Sequence, residues 1–441
     1  MSTAQPSGRP TWSNWAGNQV ARPAAVVAAR STQEVRDVVR DAASAGQRVR
    51  PVGTGHSFTG LAVTDGVLLS LEHLSGVTAV DRESGRVRVL GGTPLHVLNL
   101  ALDAFDLALP NLGDIDRQSI SGAIATGTHG TGTRQYGIAS AVTGLRLVLA
   151  DGSVLQCSPD EHAEVFQAAR VGLGALGVVT EVELQCVPAF RLRARERGES
   201  LSAVLERVQA EADAHDHLDL HWFPHTDRVL VKRNDRVPDD DPGRPLAAWR
   251  ARLDDDLLSN RVFEAVNRVS ARWPAVVPRL NQATSRALGT REYTDASWRV
   301  FCSAREVRFR ESEYAVPRAA VVDVVRAVRD WVDRHDVALP FPVEVRFLGG
   351  DDVWLSTAYE RDSAYVAVHQ YHRMGDGGLF AAFEAIVAEH RGRPHWGKLH
   401  TLGRERLAEL YPRFPDFLAV RDRLDPERLF GNDHLTRLLG P

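Results

Sequence analysis

Residues 51–58 read Pro51-Val52-Gly53-Thr54-Gly55-His56-Ser57-Phe58, and the fold turns on how they are read. Two glycines one residue apart let the backbone turn tightly and approach a ligand. Successive N–H groups in such a turn form an anion-binding concavity suited to a pyrophosphate. A histidine follows directly, which suggests a nucleotide cofactor with an imidazole beside it or joined to it. By itself the octapeptide reads first as a glycine-rich turn with a surface histidine. Two further motifs reverse that order.

The second is Ser121-Gly122-Ala123-Ile124-Ala125-Thr126-Gly127-Thr128-His129-Gly130-Thr131-Gly132. Its small side chains leave room for a ligand against the backbone, and its hydroxyls and N–H groups can bond phosphate oxygens or a ring edge. The third, Leu173-Gly174-Ala175-Leu176-Gly177-Val178-Val179-Thr180, leads glycines into a strand. Neither a G-x-G-x-x-G fingerprint nor a Walker loop is present.

Around these motifs the hydrophobic period alternates between that of helices and that of strands. Residues 31–46 predict a helix capped by Ser31 or Thr32 and closed by Gly46. Short strands are expected at 48–52, 67–71, 86–90, 142–149, 153–156 and 178–184, with a helix at 94–107. This is not the regular βαβ alternation of a nicotinamide-binding domain. After Pro188 the texture changes. Residues 237–260 read as an acidic surface excursion with a helix. A helix at 317–335, strands at 343–348 and 364–371, and a helix at 378–391 resemble an α+β domain with an antiparallel sheet.

The chain has 441 residues, too many for one ordinary core, so two or three domains are expected. Net charge is −4 and no Lys/Arg-rich stripe marks a nucleic-acid surface. Three scattered cysteines, Cys157, Cys186 and Cys302, argue against a disulfide framework, and no metal-ligand pattern of the CxxC type is present. No signal-peptide pattern opens the chain, and no apolar run nears the ~18 residues of a membrane span. A cytoplasmic setting is expected.

The three glycine motifs, in this order, resemble the FAD-binding domain of the vanillyl-alcohol oxidase superfamily. Pro342-Val343-Glu344-Val345-Arg346-Phe347 and Arg393-Pro394-His395-Trp396-Gly397-Lys398-Leu399-His400 resemble signatures of its sugar-1,4-lactone oxidase branch, which includes gulonolactone, galactonolactone and arabinonolactone oxidases and, close by, alditol oxidases. The resemblance runs from Trp12-Ser13-Asn14-Trp15 to Asn432, with 190–300 its least distinctive part. It implies a two-domain α+β flavoenzyme: an FAD-binding domain at 12–188, an antiparallel-sheet substrate (cap) domain at 189–400, and a segment at 401–441 that returns to the flavin.

It also implies roles. His56 stands where the family ties the flavin covalently. Gly53, Thr54, Gly55 and Ser57 should surround the pyrophosphate. Ser121, Gly122, Thr126, Thr128 and His129 should line the other side of the FAD, with Gly177 and Val178 near; His129 reads equally as a hydrogen-bonded structural histidine. Trp396 reads as a packing wall. Glu344 and Arg346, two apart on a strand, share a face and suit a polyhydroxylated substrate. Lys398 is expected near flavin N1, either as a cation or, if burial neutralises it, as a base. His369 and Tyr371 are expected to face the pocket, and Asn432 to return to the flavin. Gly113 and Asp114 should pass over its reactive face, where a glycine leaves room for oxygen. Asp114 stands where alditol oxidases have serine, and Tyr371 where they have threonine, which leans toward a ring-shaped substrate. The expected reaction is oxidation of an aldono-1,4-lactone, with hydride passed to flavin N5 and O2 reduced to hydrogen peroxide. An alditol, a ribosyl alcohol, or a quinone or cytochrome acceptor are the alternatives.

Overall fold

The computed structural model describes residues 9–247, 260–303 and 305–441. The helix predicted at 31–46 spans Thr32–Ser44, and Ser31 is its cap, its hydroxyl accepting the Glu34 N–H at 3.1 Å. Val35, Val39 and Ala42 make its buried stripe. It joins two strands of a small parallel sheet, Ala25–Ala28 and Val49–Val52, which flank Val67–Ser70. This crossover makes one βαβ unit. The remainder of the N-terminal half is a five-stranded antiparallel sheet in which Val178–Gln185 lies between Val142–Val148 and Arg86–Leu90. The hairpin expected at Ala150-Asp151-Gly152 forms, with Gly152 at φ +75°.

The C-terminal half is built on an eight-stranded sheet whose paired strands are all antiparallel. Its centre runs His217–Phe223, Val343–Leu348, Ser363–Tyr371, Phe309–Pro317. Alternation gives these strands two chemically different faces. One carries Leu218, Leu220 and Trp222, Val343, Val345 and Phe347, and Ala364, Val366 and Val368. It packs on helices Leu201–Ala214, Val321–His335 and Leu379–Glu389. Each fully buried valine of the second helix adds on the order of 2 kcal/mol of apolar burial. The other face carries Asp219 and His221, Glu344 and Arg346, His369, Glu311 and Glu313, and it turns toward the glycine-rich turns. The helix predicted from Pro317 begins at Val321, because a strand, Phe309–Pro317, occupies the preceding residues. The excursion expected at 237–260 falls partly outside the described residues.

The last helices, Arg404–Leu410, Phe414–Leu424 and Asp433–Leu439, pack into the N-terminal core through Leu407, Phe417, Leu435 and Leu438.

Candidate active site

The turn at 53–57 is held from three sides. Ser57 accepts at its carbonyl from Asn14 Nδ2 at 2.9 Å, and Trp15 stacks on His56 with ring centroids 5.6 Å apart. Phe58 donates its N–H to the Gly397 carbonyl at 2.7 Å. Below it, the buried Arg50 guanidinium donates to the carbonyls of Leu61, Leu173, Gly174 and Phe430, tying the first and third glycine motifs together.

A cavity runs along this turn. Gly53, Thr54, Gly55, His56 and Ser57 line it, together with Ser121, Gly122, Thr126 and Gly177 from the other two motifs. The backbone is crowded there: a Cβ on Gly53 would stand 2.2 Å from Ser119 Oγ, and Gly55 sits at φ +71°. The residues present fit an FAD.

A second cavity, of about 600 Å³, shares His56, Ser57, Gln118 and Thr126 with the first. Gly113, Asp114, Thr128, His129, Glu313, Arg346, His395 and Lys398 complete much of its wall. Residues more than 300 apart in sequence thus meet beside His56. His56 is pushed down to about 4, by burial first and then by Lys398 and Arg117, so its imidazole is neutral at pH 7.

The charged face of the large sheet supplies the electrostatics. Arg346 pairs with Glu344 beside it, and lies 3.5 Å from Asp114 and 3.8 Å from Asp219. Arg305 also pairs with Asp114. Burial opposes ionisation of Asp114, but Arg305 and Arg346 outweigh it and hold it well below the carboxylate range. Burial pushes Glu344 up, against Arg346. Lys398 pairs with Glu311. Burial would discharge that lysine, but Glu311 and Glu313 outweigh it and keep it an ammonium.

Several predicted residues take other places. Val178 points into the core with Val148, while its neighbours Gly177 and Val179 line the cavity; strand alternation puts Val178 on the opposite face from those two. Glu344, His369 and Tyr371 lie on the charged face but line neither cavity; Glu344 stands behind Arg346 and pairs with it. His369 stands behind Glu311, 3.4 Å away, and the Tyr371 hydroxyl donates to Glu264 at 2.8 Å. Asn432 does not reach the cavities either. It caps the last helix and donates to the carbonyls of Gly60, Leu61 and Val63, just past the histidine turn. Trp396 is wholly buried, its indole N–H bonded to the Leu355 carbonyl. His129 meets both readings: it lines the second cavity, and its Nδ1 bonds the Gly130 carbonyl while Nε2 lies 3.3 Å from Glu313.

Asp219, His221, Arg305, Glu311 and Glu313 were not foreseen. The alternating runs His217-Leu218-Asp219-Leu220-His221 and Glu311-Ser312-Glu313 carried the signal, as polar positions spaced for one strand face. Two groups, His129 with Glu313 and His395, and Asp219 with His221 and Glu344, are spaced as metal ligands are. In each a cation of the chain already faces the carboxylate: Lys398 in the first, Arg346 in the second.

The D-arabinono-1,4-lactone oxidase family profile matches residues 182–438, and an FAD binding domain profile matches residues 23–158. The chain belongs to that family, the sugar lactone oxidase branch of the vanillyl-alcohol oxidase superfamily. It is an FAD-dependent oxidoreductase. It is 43% identical to an L-gulono-1,4-lactone dehydrogenase of Mycobacterium tuberculosis, over 98% of this chain and 100% of the relative. It is 34% identical to an L-gulonolactone oxidase of Bos taurus, over 96% and 97% of the two chains. An alditol oxidase of a Streptomyces species is 32% identical over 97% and 98%. Cholesterol oxidase of Brevibacterium sterolicum shares the fold, with a TM-score of 0.81 at 18% identity over the full length of both chains. No described helix is long and apolar enough to cross a membrane.

Proposed function

We propose that this enzyme oxidises an aldono-1,4-lactone at C2, with oxygen as acceptor and hydrogen peroxide as product. One observation carries the reading. The cavity that opens from His56 into the cofactor site is walled by Arg346, Asp114 and Lys398, a charged surface matched to the hydroxyls and carbonyl of a sugar lactone. FAD bound there would take up the hydride of the carbinol carbon. Arg346, positioned by Glu344, would orient the ring, and Lys398, kept charged by its carboxylates, would stabilise negative charge rather than take a proton. The relatives named for gulono- and arabinono-lactones support the same substrate class.

His56 would bond the flavin 8α-methyl carbon, since a neutral imidazole keeps the free lone pair that attack requires. The denatured holoenzyme is expected to stay yellow, and His56→Ala to release its FAD; flavin freely extracted by acid from the wild type would refute the bond. Gly113 supports oxygen as acceptor: a Cβ there would press on the His129 carbonyl at 3.1 Å. The dehydrogenase relative favours a second reading, with a quinone or cytochrome as acceptor. A screen of lactones, polyols and nucleosides for anaerobic flavin bleaching tests the substrate. Mixing the reduced enzyme with air tests the acceptor, and reoxidation too slow for turnover excludes the oxidase. A reducing cytoplasm remains the proposed setting, which fractionation would check.

A further inference from the structure

Glu311 and Glu313 stand two apart on strand Phe309–Pro317, both 4% exposed, and each faces a histidine. Glu313 Oε1 lies 3.3 Å from His129 Nε2, and Glu311 Oε1 lies 3.4 Å from His369 Nε2. The other nitrogen of each ring faces a backbone carbonyl: His129 Nδ1 donates to Gly130 at 3.0 Å, and His369 Nδ1 to Pro342 at 3.2 Å. A carbonyl only accepts, so Nδ1 carries a proton in both rings. Nε2 of each ring then faces its carboxylate, so each histidine stands fixed between a backbone carbonyl and a glutamate.

The two pairs differ in access. Glu311 spends its second oxygen on Lys398 and lines neither cavity. Glu313 lines the cavity next to His56, and among the described residues no hydrogen bond or ion pair engages its Oε2. Asp114, the other carboxylate on that wall, is held by two guanidinium groups. We propose that Glu313 is the group that accepts the substrate's hydroxyl proton, with His129 as its positioning partner and Glu311 as the positioning partner of Lys398.

This deepens the lactone reading and rests on it. The O–H bond of the carbinol breaks and its proton passes to Glu313 Oε2. The C–H bond releases a hydride to the oxidised isoalloxazine, and the carbon is left as a carbonyl. The groups facing Glu313 are His129, His395, Lys398, Glu311, Arg346 and Tyr365. The histidine and the lysine hold its carboxylate below the usual range, against burial, so it is ionised and ready at neutral pH.

The test follows anaerobic flavin bleaching by a lactone in the holoenzyme, across pH. Glu313→Gln should slow bleaching by about 10²–10⁴-fold while lactone binding, read from the flavin spectrum, changes less than about threefold. In Glu313→Ala, added formate should restore part of the rate. His129→Gln should move the acid limb of the rate up by about one pH unit or more, because the carboxylate loses the histidine that holds it down. This variant carries the test if Glu313→Gln does not fold. Wild-type bleaching rates in Glu313→Gln, or an unmoved limb in His129→Gln, would each overturn the assignment. A wild type that no lactone bleaches would instead end the substrate reading, and the assignment with it.

Discussion

Lys398 shows how one side chain acquires its chemistry from its neighbours. Its loop is pinned by backbone bonds, His395 N–H to the Glu313 carbonyl and Leu399 N–H to the Glu311 carbonyl, so the lysine arrives beside both carboxylates. They hold it charged although it is buried. Lys398→Met should therefore lower the rate of flavin reduction by about 10²–10³-fold, with lactone binding much less affected. A methionine variant reduced as fast as the wild type would remove the lysine from the chemistry. Lys398, Glu344 and Arg346 were legible in the sequence because each lies in a distinctive local string. Glu311, Glu313 and Asp219 were not, because what singles them out is a partner on another strand. His129 is 184 positions from Glu313, and nothing local to either residue announces the other.

At the scale of the element, strand period decides who meets the ligand. Gly177 and Val179 face the cofactor cavity, so Val178 must face the core. The glycine turn is decided by space rather than period. A Cβ at Gly53 would fall on Ser119 Oγ, the hydroxyl that caps helix Ile120–Ala125 by accepting the Gly122 N–H. Gly53→Ala is expected to disturb both walls of the cavity at once and to cost about 2 kcal/mol or more in FAD binding. The measurement is FAD content after purification and the melting temperature with and without added FAD; full occupancy would show that the turn yields. Most elements before 188 and those of 321–391 were legible from periodicity and caps, whereas the strands and helices from 191 to 317 and the last three helices were not read. The strand at 309–317 escaped, because Glu311-Ser312-Glu313 places charges where an exposed strand would also place them. Only the opposing strand and the glycine turns beyond it make that face an interior.

For the whole molecule, the same burial that builds the site makes it sensitive to acid. His56, His217, His395, His400 and His434 are all pushed down to about 3–4, burial being the first cause in each. In the unfolded chain a histidine titrates near 6.5. The folded state therefore binds fewer protons than the unfolded state between about pH 4 and 6.5. Stability must rise with pH across that window and fall as pH drops through it. Each such histidine contributes roughly 1.4 kcal/mol per pH unit once the pH is below its unfolded value. The melting temperature of the cofactor-free protein is expected to fall steeply from pH 6.5 to pH 5 and to stay nearly flat from pH 7 to pH 8. A flat profile through the acid range would show that these imidazoles are not neutral.

The chain's order of motifs determined what it binds, because glycines and small hydroxyls are local requirements for bringing backbone close to a cofactor, and they stand in sequence where they act. The family resemblance, the two-part architecture and the charged strand Val343–Leu348 followed from the same local record. Which carboxylate is free, which histidine stands in the wall and which behind it, and where Asn432 and Tyr371 end up were decided only in three dimensions. The reason is that ionisation and access depend on the charges and surfaces brought within a few ångströms, and the sheet collects those from strands as far apart in sequence as His217–Phe223 and Ser363–Tyr371.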